Sequence, residues 1–173
     1  CGGGQAIAAQ LPRLLSTAVR LVLDADALNS IANDSQLATL LAARGARQRQ
    51  TVLTPHPLEA ARLLACTTAA VQADRLAAAQ QLAQRFGCTV VLKGSGTVIA
   101  APGRLPVINP TGNARLATAG TGDVLAGLIG ARLAQGQNEF DAACAAVWLH
   151  GRAADHWPED HQLTASALAR AVG

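Results

Sequence analysis

The chain has 173 residues, a formal net charge of +3 and only 2% aromatic residues, although half of it is hydrophobic. Ala, Leu and Val must therefore build the core, and the length suits one well-buried domain with no linker to suggest two. The dispersed arginines form no basic patch interleaved with aromatics, which argues against a nucleic-acid partner, and the apolar runs fall short of a membrane span or a signal peptide.

In chain order, Cys1 to Gln5 opens with three glycines. It reads as the loop after a strand, or equally as a flexible end, before a helical pattern (Ile7, Leu11, Leu14, Leu15) that Pro12 should break or delay. Leu21-Val22-Leu23 is continuously apolar and predicts a buried parallel strand. It ends in Asp24-Ala25-Asp26, where Asp26 is expected to cap a helix running through Leu37, Leu40 and Leu41 to a solvated Arg44–Arg49 end. Thr51 to Thr54 is the second strand, followed by Pro55-His56-Pro57, with Pro57 placed as a first helical residue. Glu59 then falls in the first helical turn, where the dipole alone is reason enough for a carboxylate. His56 is either a surface loop residue or a ligand. Val71 to Phe86 reads as one amphipathic helix closed by Gly87. Thr89 to Leu92 is the third strand, ending in Lys93-Gly94-Ser95-Gly96-Thr97, and Val98–Ala100 with Val107–Ile108 forms a hairpin around Pro102-Gly103. Lys93 is the only lysine among 14 cationic residues. An Arg-rich, Ala-rich composition could leave a single lysine by chance, but the place of this compact ammonium in a Lys-Gly-Ser-Gly-Thr run makes chance less attractive.

The stretch Asn109 to Gly130, NPTGNARLATAGTGDVLAGLIG, organises the rest. A glycine-rich loop leads into a helix whose apolar positions are Val124, Leu125, Leu128, Ile129 and Leu133. Amides at a helix start, with the positive end of its dipole, suit an anion. Asp123 beside them is either an N-cap or a base that takes a proton from a hydroxyl attacking a phosphoryl group. Gly127 and Gly130 inside the helix each cost about 1 kcal/mol against Ala, which backbone approach to a ligand or close helix packing would explain. A further helix, Phe140 to about Ala154, carries small residues suited to packing on it. His150, Asp155, His156 and His161 read as helix-end residues rather than metal ligands. Leu163 to Val172 is a last helix.

Three strand ends and one loop–helix thus present LDAD, TPHP, KGSGT and GTGD along one sheet edge, which indicates a nucleotide or phosphate site. Cys1, Cys66, Cys88 and Cys144 lie far apart with no CxxC pair, in keeping with reduced, mostly buried thiols in a cytoplasmic protein.

These segments, LVLDADALN, TPHPLEAARLL, VVLKGSGTVIA, NPTGNARLATAGTGDVLAGLIG and AVWLHGRAAD, resemble in this order the ADP- or ATP-dependent NAD(P)H-hydrate dehydratases of the ribokinase-like superfamily. The resemblance covers Gly2 to about Asp155. It implies a three-layer α/β/α fold on a mostly parallel sheet, here a single partial domain over 1–173 that lacks the N-terminal third. The absence of any Met is in keeping with this. The implied reaction is repair: the hydroxyl of NADHX or NADPHX is phosphorylated by the nucleotide and leaves as phosphate, returning NADH or NADPH.

By the same resemblance Asp123 matches the catalytic base and a substrate contact, and His56 a contact to the hydrated dinucleotide. Lys93, Gly94, Ser95, Gly96 and Thr97 match one nucleotide-binding segment, and Asn113, Thr118, Gly120, Thr121 and Gly122 the other. Glu59 stands where superfamily kinases hold Mg²⁺ through water. ADP or ATP with Mg²⁺ are the implied cofactors, and a homo-oligomer is the implied assembly. Leu58 departs from the family's Gly, and Arg115-Leu116 from its Gly-Met; Arg115 either adds a phosphate contact or points to solvent. Two other readings stand beside this one. They are a kinase of the hydroxymethylpyrimidine or hydroxyethylthiazole type, and a nucleotide-binding fragment without turnover.

Overall fold

A computed structural model describes the backbone of residues 4–173 and side chains from residue 7 onward. The reading of the opening glycines as a loop after a strand lies, for Cys1 to Gly3, outside the described residues. Gly4 already begins helix α1 (Gly4–Thr17), which runs through Pro12 without a break. Pro12 sits on the exposed side between buried Leu11 and Leu15, so the apolar face packs undisturbed.

Five strands lie side by side in sequence order: β1 (Arg20–Leu23), β2 (Gln50–Leu53), β3 (Thr89–Leu92), β4 (Val98–Ala100) and β5 (Val107–Ile108). The first three are mutually parallel, and the expected hairpin adds β4 and β5 antiparallel. Strand side chains alternate between faces, so period two sorts them into two cores. Leu53, Val90, Leu92, Val98 and Ala100 pack with α1, α2 (Asp26–Asn33), α3 (Ser35–Ala46), α4 (Pro57–Leu64) and α6 (Arg75–Phe86). Val52, Val91 and Ile99 face the other way, onto α7 (Thr121–Ala134) and α8 (Glu139–Asp155). The result is helix, sheet, helix. A third small cluster seats α9 (Ala165–Val172), through Leu168, beside Ala154 and Leu163.

Several local expectations are corrected. Asp26 is not a cap: α2 begins at once off the strand, its cap position is Ala25 at φ 51°, and no side chain caps it. Asp34 divides the next helical stretch by leaving the helical region and capping α3 through Gln36 and Leu37 N–H. Asp74 likewise splits the expected Val71–Phe86 helix into α5 (Thr68–Ala73) and α6, accepting from Ala77 N–H. In both cases the backbone-seeking Asp side chain outcompetes the helical continuation.

Arg44 is not solvated either. It is 1% exposed, and its guanidinium donates to Thr51 Oγ1 and to the carbonyls of Leu15, Ala18 and Gln50. Burial holds its pKa below the ordinary arginine value. Gly127 and Gly130 have open space where a Cβ would stand, so neither close packing nor the protein's own backbone accounts for them. Of the described cysteines only Cys88 is fully buried, and burial pushes its thiol up to about 12; Cys66 is exposed.

Candidate nucleotide and phosphate site

Parallel pairing brings the carboxyl ends of β1, β2 and β3 to one edge, so the residues that follow each strand are neighbours. Thr54 N–H donates to Leu23 O at 3.1 Å, and Lys93 N–H donates to Pro55 O at 2.8 Å. From there the Lys93 side chain reaches across to Asp24, with Nζ 2.7 Å from Oδ1. A Cβ on Gly122 would stand 3.5 Å from Lys93 Nζ and 3.8 Å from Asp24 Oδ2. The ends of β1 and β3 therefore meet the first turn of α7, joined by one ion pair.

Gly120, at φ 85°, is the cap position of α7, with Thr121 and Gly122 as its first two helical residues. Asp123 is the third, so it is not the N-cap, and it is exposed on the first turn. The helix start is pinned from below. Thr121 Oγ1 donates to Leu116 O and Thr118 O, and His150 Nε2 donates to Thr121 O at 2.9 Å. The tautomer of His150 is set by that carbonyl.

A cavity of about 530 Å³ opens beside this helix start. Its floor is Lys93 to Thr97, and its far wall is Asn109, the Thr111–Ala114 segment and Gly151. The wall is braced on α8. Thr111 Oγ1 donates to Trp148 O, Gly112 N–H donates to Asp155 Oδ2 at 2.9 Å, and Asn113 Nδ2 donates to Ala154 O and Asp155 Oδ1. Asp155, read from the sequence as an ordinary helix-end residue, is thus the anchor of the loop. Gly151 is required here: a Cβ on it would come within 2.7 Å of Thr111 C and 2.9 Å of Gly112 N.

Of the residues singled out from the sequence, Lys93, Gly94, Ser95, Gly96, Thr97, Asn113, Thr121 and Gly122 line this cavity together. Thr118 and Gly120 shape the turn beneath it, whereas Asp123, next in the chain after Gly122, is exposed on the first turn of α7 and is not part of the lining. His56 and Glu59 lie one strand away, occupied with each other in a capping box. His56 Nδ1 accepts from the Leu58 and Glu59 N–H groups, while Glu59 Oε2 accepts from His56 N–H at 2.8 Å. His56 thus has the structural role that sequence reasoning could not find for it, while its ring remains half exposed at 46%. Arg115 neither joins the cavity nor points to solvent, because Nη1 donates to Trp157 O at 3.0 Å. Leu116, in place of the family's Met, lines the cavity, and Leu58 is exposed at 44%.

Sequence reasoning passed over the partnership of Asp24 with Lys93 and the contribution of α8. The LDAD signal was visible, but a pair 69 residues apart has no local signature. His150, which the sequence suggests as a helix-end residue, stands inside α8 and is a buried wall of the cavity. Among the described residues no cluster of three His, Cys, Asp or Glu could hold a metal ion.

Burial lowers the His150 pKa, a shift that its bond to Thr121 O only partly opposes. A histidine that folds with a depressed pKa stabilises the native state above its unfolded pKa of about 6.5, and that contribution is lost as pH falls. Urea unfolding at pH 7 and pH 5 should therefore show a decline that is smaller in His150→Gln; an identical decline would remove the assignment.

The sequence pattern of the NAD(P)H-hydrate dehydratase family matches residues 2–172. An ADP-dependent (S)-NAD(P)H-hydrate dehydratase from Neisseria meningitidis is 51% identical over 170 residues, which is 97% of this chain and 56% of that protein. Among solved structures, an ADP/ATP-dependent NAD(P)H-hydrate dehydratase from Bacillus subtilis, co-crystallised with ATP and Mg²⁺ and soaked with CoA, superimposes with a TM-score of 0.77. It is 34% identical, over 94% of this chain and 57% of its own. A ribokinase-like superfamily protein from Enterococcus faecalis superimposes with a TM-score of 0.76 at 26% identity, over 99% of this chain and 58% of its own. The chain thus spans little more than half the length of these relatives. With the family pattern matched across nearly its whole length and its fold shared with these structures, the chain is ribokinase-like and belongs to the NAD(P)H-hydrate dehydratase family.

Proposed function

We propose that this chain forms the nucleotide-binding and catalytic portion of an ADP- or ATP-dependent NAD(P)H-hydrate dehydratase, a lyase that returns NADHX or NADPHX to NADH or NADPH. The observation that carries the reading is the meeting of Lys93, Asp24 and Gly122 at the head of α7, beside a cavity large enough for a nucleotide. Amides of the first helical turn have no intrahelical acceptor, and with the dipole they stabilise phosphate oxygens. In this reading Gly94 to Thr97 and the Thr111–Asn113 loop flank the nucleotide, and Gly120 to Gly122 hold its transferring phosphoryl group.

Asp123 then takes the proton from the ring hydroxyl as the hydroxyl oxygen attacks the terminal phosphorus. The P–O bond to the rest of the nucleotide breaks, and AMP (from ADP) or ADP (from ATP) leaves. The C–O bond of the resulting phosphate ester breaks, with phosphate leaving and the ring nitrogen's electron pair assisting. Loss of a ring proton restores the dihydronicotinamide. His56, half exposed at the neighbouring strand end, contacts the dinucleotide.

Mg²⁺ binds through one or two carboxylates and substrate phosphates, and when bound it neutralises phosphate charge. Asp24, at the edge of the anion site, fits that requirement. Glu59, with both oxygens turned to His56, would serve through water. No helix among the described residues is long and apolar enough to cross a membrane. We place the reaction in the cytoplasm and expect a single ribokinase-like unit that assembles into homo-oligomers.

The test is recovery of NAD(P)H absorbance from the hydrate with ADP or ATP present. Recovery supports the dehydratase; a stable phosphorylated alcohol would make it a small-molecule kinase, and nucleotide binding without turnover a binding fragment. Lys93→Ala should weaken ADP by about tenfold to a hundredfold, since a charge-assisted contact to phosphate contributes about 1.5–3 kcal/mol. Unchanged affinity by calorimetry would show that Asp24 keeps the ammonium to itself.

A further inference from the structure

We propose that Arg75 is a positioning residue for the nucleotide loop, acting through Lys93; the inference rests on the reading of the cavity as a nucleotide site. Strand β3 ends at Leu92, and the chain then turns away through Gly94 at φ 142°. The carbonyls of Leu92 and Lys93 stand at this turn, and inward carbonyls at a strand end need donors. Arg75, the first residue of α6, supplies them. Its Nη2 lies 3.1 Å from Leu92 O and 3.3 Å from Lys93 O, while Nη1 donates to Gln72 Oε1 at 2.9 Å.

Gly94 completes the arrangement, because a Cβ there would stand 3.0 Å from both terminal nitrogens of the guanidinium. From the opposite side, Lys93 N–H donates to Pro55 O at 2.8 Å. The backbone of residue 93 is thus clamped on both edges. That clamp fixes the direction in which the Lys93 side chain leaves the strand, toward Asp24 and the head of α7. Arg75 does not line the cavity itself, and the planar fork is needed because a single ammonium cannot span two carbonyls and Gln72 together.

The test is a double-mutant cycle read by ADP calorimetry on R75Q, K93A and the combination. R75Q should weaken ADP by about tenfold, the scale on which misplacing a binding group is felt, and R75K should recover little of it. If Arg75 acts by placing Lys93, R75Q must add almost nothing in the K93A background. Should R75Q fail to fold, the same cycle is run with R75K, which keeps the charge and loses the fork. Unchanged affinity in the Arg75 variant, or full additivity with K93A, overturns the assignment. A wild-type chain that does not bind ADP overturns instead the nucleotide reading on which it rests.

Discussion

Asp123→Asn is expected to lower turnover of NAD(P)H hydrate by about 10³-fold, the range over which a positioned general base contributes. ADP affinity should stay within about tenfold, because the base acts on the hydroxyl proton in the transition state and not on the bound nucleotide. The geometry behind this is specific. Asp123 is the third residue of α7 and exposed, and Thr121 and Gly122 immediately before it line the cavity. Asn preserves the shape of that side chain but cannot accept the proton. Full retention of turnover would remove Asp123 from its role. Parallel loss of ADP binding would show instead that the carboxylate organises the helix start.

Gly151→Ala should have the second large effect, on both stability and binding. In a helix, Ala is ordinarily favoured over Gly by about 1 kcal/mol. At this position the new methyl would press on the backbone of Thr111 and Gly112, which no side-chain rotation can relieve. Overpacking of this kind costs about 1–3 kcal/mol, so a net loss of stability is expected despite the helical preference. Because Thr111 and Gly112 form the cavity wall, ADP should bind at least about tenfold more weakly, equivalent to about 1.4 kcal/mol. Gly127→Ala and Gly130→Ala serve as controls. Nothing stands within 4 Å of the added carbon at either site, so each should raise the denaturant midpoint. A tolerated Gly151→Ala would mean that the 111–113 loop moves freely, against its bonds to Asp155.

The layout of the fold could be read from the chain because its strands are short, continuously apolar runs bounded by turn residues. Leu21 to Leu23, Thr51 to Leu53 and Thr89 to Leu92 all appear as strands, and the hairpin at Pro102-Gly103 lies where turn chemistry put it. What escaped was local competition. Asp34 and Asp74 interrupt helices because their side chains capture backbone N–H groups, and an apolar period cannot reveal that. Arg44 looked like part of a solvated basic run, yet the C-terminal end of α1 presents carbonyls to it from about thirty residues away.

The site divides in the same way. Lys93 to Thr97 and Thr121-Gly122 announced themselves through glycines and a solitary lysine, and the structure seats them around one cavity. The supports did not. Asp24, Arg75 and Gly151 act through contacts between distant segments, and each looks ordinary in its own neighbourhood: a strand-end acid, a helix-start arginine, a helical glycine. Gly127 and Gly130 mislead in the opposite sense, because a glycine in a helix suggests close packing that the described residues do not show.

The account depends on the head of α7 receiving a phosphate, and crystals of this chain grown with ADP measure that directly. It predicts the diphosphate in the cavity, hydrogen-bonded to the Gly120–Gly122 amides, with Lys93 Nζ on a phosphate oxygen and Asp123 beside the terminal group. ADP bound elsewhere, with Lys93 still closed on Asp24 and no anion at the helix start, would contradict it.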